Sequence, residues 1–187
     1  MFSLSPGYII LGIVLVIVAF IVATYNKLIG ARNMVDNAWH NIETLLQKRF
    51  DLVPNLVNTV KGYMQHEKEV LENITKARAT LQQATSVQEN ASAENMLSGA
   101  LKTLFAVSEN YPELKANENF LLLQEELSGI ESKIAYARQR YNRSVMVYNT
   151  IIQRFPVNIL AGAFNFREKD YFQTESWCLH LVECWEK

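Results

Sequence analysis

Breakers and reactive side chains are both scarce. The 187 residues include only 7 Gly, 4 Pro, 3 His and 2 Cys. So few Gly and Pro exclude an all-β fold with many turns. Three histidines give no compelling Ser-His-Asp order, and no Gly-rich loop is present to cradle a phosphate; Gly162 stands alone. The formal net charge is −1 with 20% of residues charged, which excludes a global basic field for nucleic acid. What remains abundant is Leu, Ala, Asn, Glu and Val, which suits a few long helices. The length fits one domain with a small appendage.

Charge is missing altogether from Met1 to Asn26. Inside that stretch Tyr8, Ile9, Ile10, Leu11, Gly12, Ile13, Val14, Leu15, Val16, Ile17, Val18, Ala19, Phe20, Ile21, Val22 and Ala23 form one apolar run. Extended from Leu4 to Tyr25 it has 22 residues. At ~1.5 Å per residue these span about 33 Å, close to the ~30 Å hydrocarbon core of a bilayer. Tyr8 and Tyr25 bracket the run as interfacial aromatics do. A cleavable signal needs a basic start and a small-residue cleavage site, and "FIVATYN" is a poor one. A core helix of a soluble domain needs a polar stripe, which is absent. An uncleaved transmembrane anchor is the expectation, so one partner is the lipid bilayer. Lys27 and Arg32 come after the span and no basic residue precedes it, which puts the N-terminus outside and the bulk in the cytoplasm.

Helical spacing begins directly after the anchor. Val35, Trp39, Ile42 and Leu46 share a face, then Val53, Val57, Val60 and Met64, then Leu71, Ile74 and Leu81. Ser86 and Glu89 match a capping box, with Ser92 a second candidate cap, before a helix through Leu97, Leu101, Leu104 and Phe105. Pro112 pushes Tyr111 out of helical geometry, and Asn117 can cap the last long helix. The longest stripe is Phe120, Leu123, Leu127, Ile130, Ile134, Ala137, Tyr141, Val145, Tyr148, Ile152 and Phe155, which Pro156 ends. "VNILAGAFNFREKDYF" is expected to be a loop with aromatic anchors, and "QTESWCLHLVECWEK" a short helix or frayed tail.

Pro54 admits two conformations. It kinks one continuous helix, or it falls in the first turn of a new helix after a tight connection at Phe50–Val53 with Asp51 as a cap. The turn is expected, because an interior proline costs about 3 kcal/mol.

Candidate chemistry is thin. "HEKEV" at His66 begins like a zinc-protease helix, but Val70 stands where the second histidine belongs. Cys178, His180, Glu183 and Cys184 are the only soft-ligand cluster, with spacing wider than structural zinc sites use. Arg138, Arg140 and Arg143 are expected on a solvated face or in edge ion pairs with Glu131. Asn142 and Asn149 sit directly after core tyrosines a heptad apart, so they are expected to bond across the helices, with Arg49, Asp51 or Asn55 as candidate partners.

"YNKLIGARNMVDNAW", "KRFDLVPNLVNTVKGY", "YPELKANENFLLLQEEL", "IAYARQRYNRSVMVYN" and then "FP" occur in order between Tyr25 and Phe172. In this the chain resembles the LemA family. The matching positions include Tyr25, Asn26, Arg32, Asn33, Trp39, Arg49, Asp51, Pro54, Asn55, Tyr111, Pro112, Asn117, Arg138, Tyr141, Asn142, Tyr148 and Asn149, for which a structural role is expected. The resemblance implies an all-α chain: one transmembrane helix with its N-terminus outside, then a soluble, antiparallel up-and-down four-helix bundle. It supports a turn at Pro54 and carries no established enzymatic activity or cofactor. A magnetosome-membrane protein of the same family implies a tie to membrane organisation. The expected layout is an anchor at 1–25, the bundle at 26–165 and a tail at 166–187 whose Trp177 and Trp185 depart from the family pattern. The expected role is a scaffold or adaptor at the cytoplasmic face of a bacterial inner membrane. Its partners would be the bilayer and another protein or a second copy, with no metal, cofactor or nucleic acid.

Overall fold

The computed structural model describes residues 6–64 and 66–172. These form six helices, with no strand among the described residues: α1 Pro6–Lys61, α2 Lys68–Gln83, α3 Val87–Ser108, α4 Pro112–Lys115, α5 Glu118–Gln153 and α6 Val157–Ala163. They fall into two compact units. One holds the described residues up to Trp39 with Arg143–Lys169; the other holds His40–Asn142 with the described residues from Asp170.

α1 corrects the expectation at Pro54. The helix runs through the proline, and the turn expected at Phe50–Val53 is not there; the chain leaves the helix after Lys61 instead. The buried stripe explains why. Ile42, Leu46, Arg49, Val53, Leu56 and Val60 step by threes and fours across Pro54 without losing register. A break there would turn half the stripe away from the core.

A proline has no N–H, so the carbonyl four residues back, that of Phe50, loses its helical donor. A side chain from α2 takes that place. Arg78 Nε donates to the Phe50 carbonyl at 3.2 Å, and its guanidinium lies over the Phe50 ring, 3.7 Å from the centroid. Interior proline is tolerated because the orphaned acceptor is satisfied from the next helix. Arg78→Ala should therefore cost about 1–2 kcal/mol with Pro54 present and clearly less in a Pro54→Ala background. A double-mutant cycle on thermal unfolding measures that coupling, and additive effects would contradict it.

α3 starts as the sequence predicts. Ser86 Oγ accepts from Glu89 N at 3.1 Å, and the Glu89 carboxylate accepts from Ser86 N at 3.1 Å and Thr85 N at 2.8 Å. Ser92 lies inside the helix and caps nothing. Ser86→Ala should cost about 1 kcal/mol. The backbone N–H of Thr85, then that of Ser86, hold the Glu89 carboxyl below its ordinary value. A depressed folded value means the cap contributes fully above the ordinary carboxylate range and is lost as pH falls through the lowered value. A pH titration of stability should show a smaller acid-side decline in Glu89→Gln than in the wild type.

α5 opens on Asn117, whose Oδ1 accepts from Phe120 N at 3.0 Å, as expected of a cap. Its stripe is buried as predicted except at two positions: Leu123 is half-buried, and Phe155, beyond the helix end, is 79% exposed. The segment after Pro156 is not all loop. Val157–Ala163 is helical, and Asn165 ends it in the left-handed region at φ 56°. Phe166 N donates to the Ala161 carbonyl and Asn165 N to that of Gly162. This is the Schellman closure, with asparagine in the position glycine usually takes.

Candidate functional site

Two helix stripes of the second unit each carry one charged residue in a core slot. Arg49 takes a core slot between Leu46 and Val53 on α1 and is 0% exposed. Glu94 takes one before Leu97 on α3 and is 2% exposed. Arg49 Nη1 donates to Glu94 Oε1 at 2.5 Å and to Ser98 Oγ at 2.9 Å. Ser98 Oγ in turn donates to Glu94 Oε1 at 3.2 Å. The other carboxylate oxygen of Glu94 is in direct ionic contact with Arg138 Nη2 from α5. Arg138 is thus a nearly buried member of a core cluster, which corrects the solvated face expected for it.

The surroundings compensate the second cation only in part. Arg49 Nη2 lies 3.9 Å from Glu131 Oε2, a half-exposed carboxylate that also meets Lys102 at 3.3 Å. The Arg138 guanidinium sits over the Phe172 ring, 4.6 Å from its centroid, and Nη1 reaches Asn95 Oδ1 at 3.4 Å. Nε of Arg49 and of Arg138 are buried without an acceptor among the described residues. Burial lowers the Arg49 guanidinium from its ordinary value, with Glu131 opposing. Burial first, and then the neighbouring Arg49 charge, bring Arg138 down to about 10. Both remain cations at neutral pH. One carboxylate gripped by two guanidiniums links α1, α3 and α5.

The Tyr-Asn pairs of α5 grip the chain beyond α6. In the first unit Asn149 Nδ2 donates to the Lys169 carbonyl at 2.9 Å, and Asn149 Oδ1 accepts from Lys169 N at 3.0 Å. Tyr148 Oη donates to the Arg167 carbonyl at 3.0 Å. In the second unit Asn142 makes the same two-way contact with Phe172, at 3.0 and 2.8 Å, and Tyr141 Oη donates to the Asp170 carbonyl at 2.9 Å. These bonds replace the expected partners Arg49, Asp51 and Asn55. An asparagine amide presents one donor and one acceptor side by side, which matches one residue's carbonyl and N–H. Burial raises the Tyr148 phenol, with Arg32 pulling it down and Asp36 pushing it up. Lys169 Nζ also meets Asp36 Oδ1 at 3.2 Å, and Arg32 pairs with Asp36 at 3.7 Å. A cavity of about 330 Å³ lies among Tyr25, Ile29, Arg32, Tyr148 and Arg167.

Of the run from Tyr8 to Ala23, all are exposed except Ile21, which is half-buried. α1 is the one helix among the described residues long and apolar enough to cross a membrane, with a mean hydropathy of 2.8 over its best window. Asn26, Asn33, Asp51 and Asn55 are exposed, and Trp39 is half-buried. Asp51 lies within α1, where it accepts from Gln47 Nε2 at 2.8 Å, and so caps nothing. Tyr111 Oη donates to Glu67 Oε1 at 3.3 Å, and Pro112 opens α4. His66 is exposed, and no group of metal-ligating side chains occurs among the described residues. Trp177, Cys178, His180, Glu183, Cys184 and Trp185 lie outside the described residues.

The profile of the LemA family matches residues 38–180. The chain belongs to the LemA family. Both the buried charge cluster and the asparagine grips fall inside the matched region. A LemA relative, Protein LemA of Metamycoplasma hominis, is 29% identical over 152 residues, covering 79% of this chain and 68% of its own. Magnetosome protein MamQ 2 of Paramagnetospirillum magneticum is 25% identical over 189 residues, 86% of this chain and 70% of its own. Magnetosome protein MamQ of Magnetospirillum gryphiswaldense is 24% identical over 188 residues, 85% and 69% respectively. With the apolar helix, these likenesses make this a membrane-associated helical protein. The signal for Arg49 and Glu94 was in the sequence: each interrupts an apolar stripe at a position the period assigns to the core.

Proposed function

We propose that this LemA-family chain is a single-pass, non-enzymatic scaffold or adaptor. Its soluble helices would form an antiparallel up-and-down four-helix bundle at the cytoplasmic face of a bacterial inner membrane. One observation carries the reading. The lipid-length run ends at Ala23, and core packing begins at the next residue, with Thr24 and Leu28 buried. No linker separates anchor from packed residues, so whatever this unit binds is held at the bilayer surface. Lys27 and Arg32, just past the span, support the cytoplasmic placement. The partners would be the bilayer and a protein, another or a second copy, but not nucleic acid. In-cell crosslinking tests it: a purified monomer with no recurring crosslinked partner ends the scaffold reading. Topology is read by a membrane-impermeant maleimide on Cys178 and Cys184, the only thiols, with a denatured control. Labelling only after lysis supports a cytoplasmic bundle, and labelling of intact cells inverts it.

A second reading, membrane organisation, draws on the relatives named as magnetosome proteins. Deleting the gene should then alter membrane morphology, and unchanged membranes by electron tomography would remove that reading.

A further inference from the structure

We infer that α6 and its flanking aromatics form a second membrane contact, an apolar surface that rests in the interfacial layer of the same bilayer α1 crosses. The inference rests on the anchor reading of α1 and adds a site to it.

Three observations within the first unit carry it. The first is height along α1. Asn149 grips Lys169, and Lys169 pairs with Asp36, so this part of α5 lies level with Asp36. Further on, the Phe164 ring meets Tyr25 edge-on with centroids 5.1 Å apart, and Phe166 meets it at 6.0 Å. From Asp36 to Tyr25 is eleven residues, so the chain has climbed about 16 Å along α1 toward the apolar span. Tyr25 is the aromatic that closes that span, at headgroup level. The second observation is composition. From Phe155 to Phe166 there is no charged residue, while Arg154 and Arg167 stand at either end. The third is the exposed face. Phe155 is 79% exposed, Ile159 63% and Phe164 48%; Ile159 and Ala163 are four apart on one side of α6, and Phe155 and Phe164 flank its two ends. Val157, Leu160 and Ala161 face inward, so this outer stripe is left over after the fold is packed.

An uncharged stripe with bulky aromatics at the level of an interfacial tyrosine matches the chemistry of the headgroup–acyl boundary. Arginines at its ends can extend to lipid phosphates while their stems stay apolar. The Schellman turn at Asn165 reverses the chain sharply and sets Phe164 and Phe166 on either side of the turn, both against Tyr25. Phe155, predicted to be a core residue, is exposed here because it belongs to this surface.

The test uses the full chain in vesicles of phosphatidylethanolamine and phosphatidylglycerol. A single cysteine carrying an environment-sensitive fluorophore is placed at Ile159→Cys, at Val16→Cys in the span, or at Lys102→Cys in the second unit, in a Cys178→Ser, Cys184→Ser background. Ile159 should give blue-shifted emission, lost on adding lipid spin-labelled near the headgroup. Val16 should respond to lipid labelled deep in the acyl chain, and Lys102 only to aqueous iodide. Water-like emission at Ile159 with Val16 in lipid overturns the inference and leaves the anchor standing. No lipid quenching at Val16 removes both. Emission at Ile159 shielded from water and from lipid alike means a protein covers the face, which also overturns it. Should the cysteine-free chain not fold, benzoylphenylalanine at Phe155 in the natural background reads the same question: a crosslink to lipid supports the inference and one to protein contradicts it.

Discussion

Glu94→Ala should lower the stability of the full-length protein by about 3–5 kcal/mol, the largest effect expected of any single substitution here. The carboxylate is 2% exposed and is held by two guanidiniums, one of them 0% exposed. Its removal leaves two cations in the core with only half-exposed Glu131 near them. Burial and the neighbouring Arg49 charge already bring Arg138 down to about 10. A fall of that size corresponds to a Tm lowered by on the order of 10 °C, measured by circular dichroism of the detergent-solubilised chain. Glu94→Gln keeps shape and an acceptor but loses the charge, and should show most of the same loss. The triple change Arg49→Met, Glu94→Leu, Arg138→Met should instead be neutral or stabilising by up to about 4 kcal/mol, because no ion is left to desolvate. A mild Glu94→Ala would mean that the charges are not compensated as the geometry indicates. A stable triple variant that no longer supports the protein's role in cells would show that the cluster serves register or switching and not stability.

That contrast also separates what residue order reveals from what only packing reveals. The helices, the cap at Ser86, the cap at Asn117 and the long stripe of α5 are legible in residue spacing, because burial of one face leaves a periodic record. Pro54 could not be settled that way. An interior proline is expensive only if its freed carbonyl stays unpaired, and the donor that pairs it, Arg78, is 28 positions away in the chain. Local rules price the proline but cannot see the arginine. Arg49 and Glu94 were legible in part, since a charge in a core slot requires an opposite charge in another core slot. Which carboxylate answers which arginine depends on the packing of separate helices, and Glu131 was an equally plausible partner by charge alone. α6 was missed because seven residues, about two helical turns, hold too few periods to distinguish it from a loop.

The asparagine grips give the second large effect, and it should be local. Asn149→Ala removes two hydrogen bonds and leaves the Lys169 N–H and carbonyl without the partners that folding gave them. At about 1–3 kcal/mol for such a loss, opening of the segment after α6 should become easier by on the order of thirtyfold. Hydrogen exchange reads this at one amide: the protection of Lys169 should collapse. In Asn142→Ala the amide affected should be that of Phe172. Tyr148→Phe removes only one hydroxyl donor, to the Arg167 carbonyl, and should cost less. Asn149→Asp is the sharper test. A carboxylate still accepts from the Lys169 N–H but faces the Lys169 carbonyl with a second acceptor where the amide had a donor. It should therefore release the segment nearly as fully as alanine does, despite its near-identical shape. The spacing makes the case that these are grips and not chance contacts. Asn142 and Asn149 are seven residues apart on a helix, an advance of about 10.5 Å. Phe172 and Lys169 are three apart, and a nearly extended chain covers about 10 Å in three residues. The same seven-to-three offset holds for Tyr141 with Asp170 and Tyr148 with Arg167. A heptad of Tyr-Asn pairs is thus a ruler for chain lying along a helix. If either alanine variant left its own amide fully protected, other contacts would be holding that segment and the ruler would be incidental.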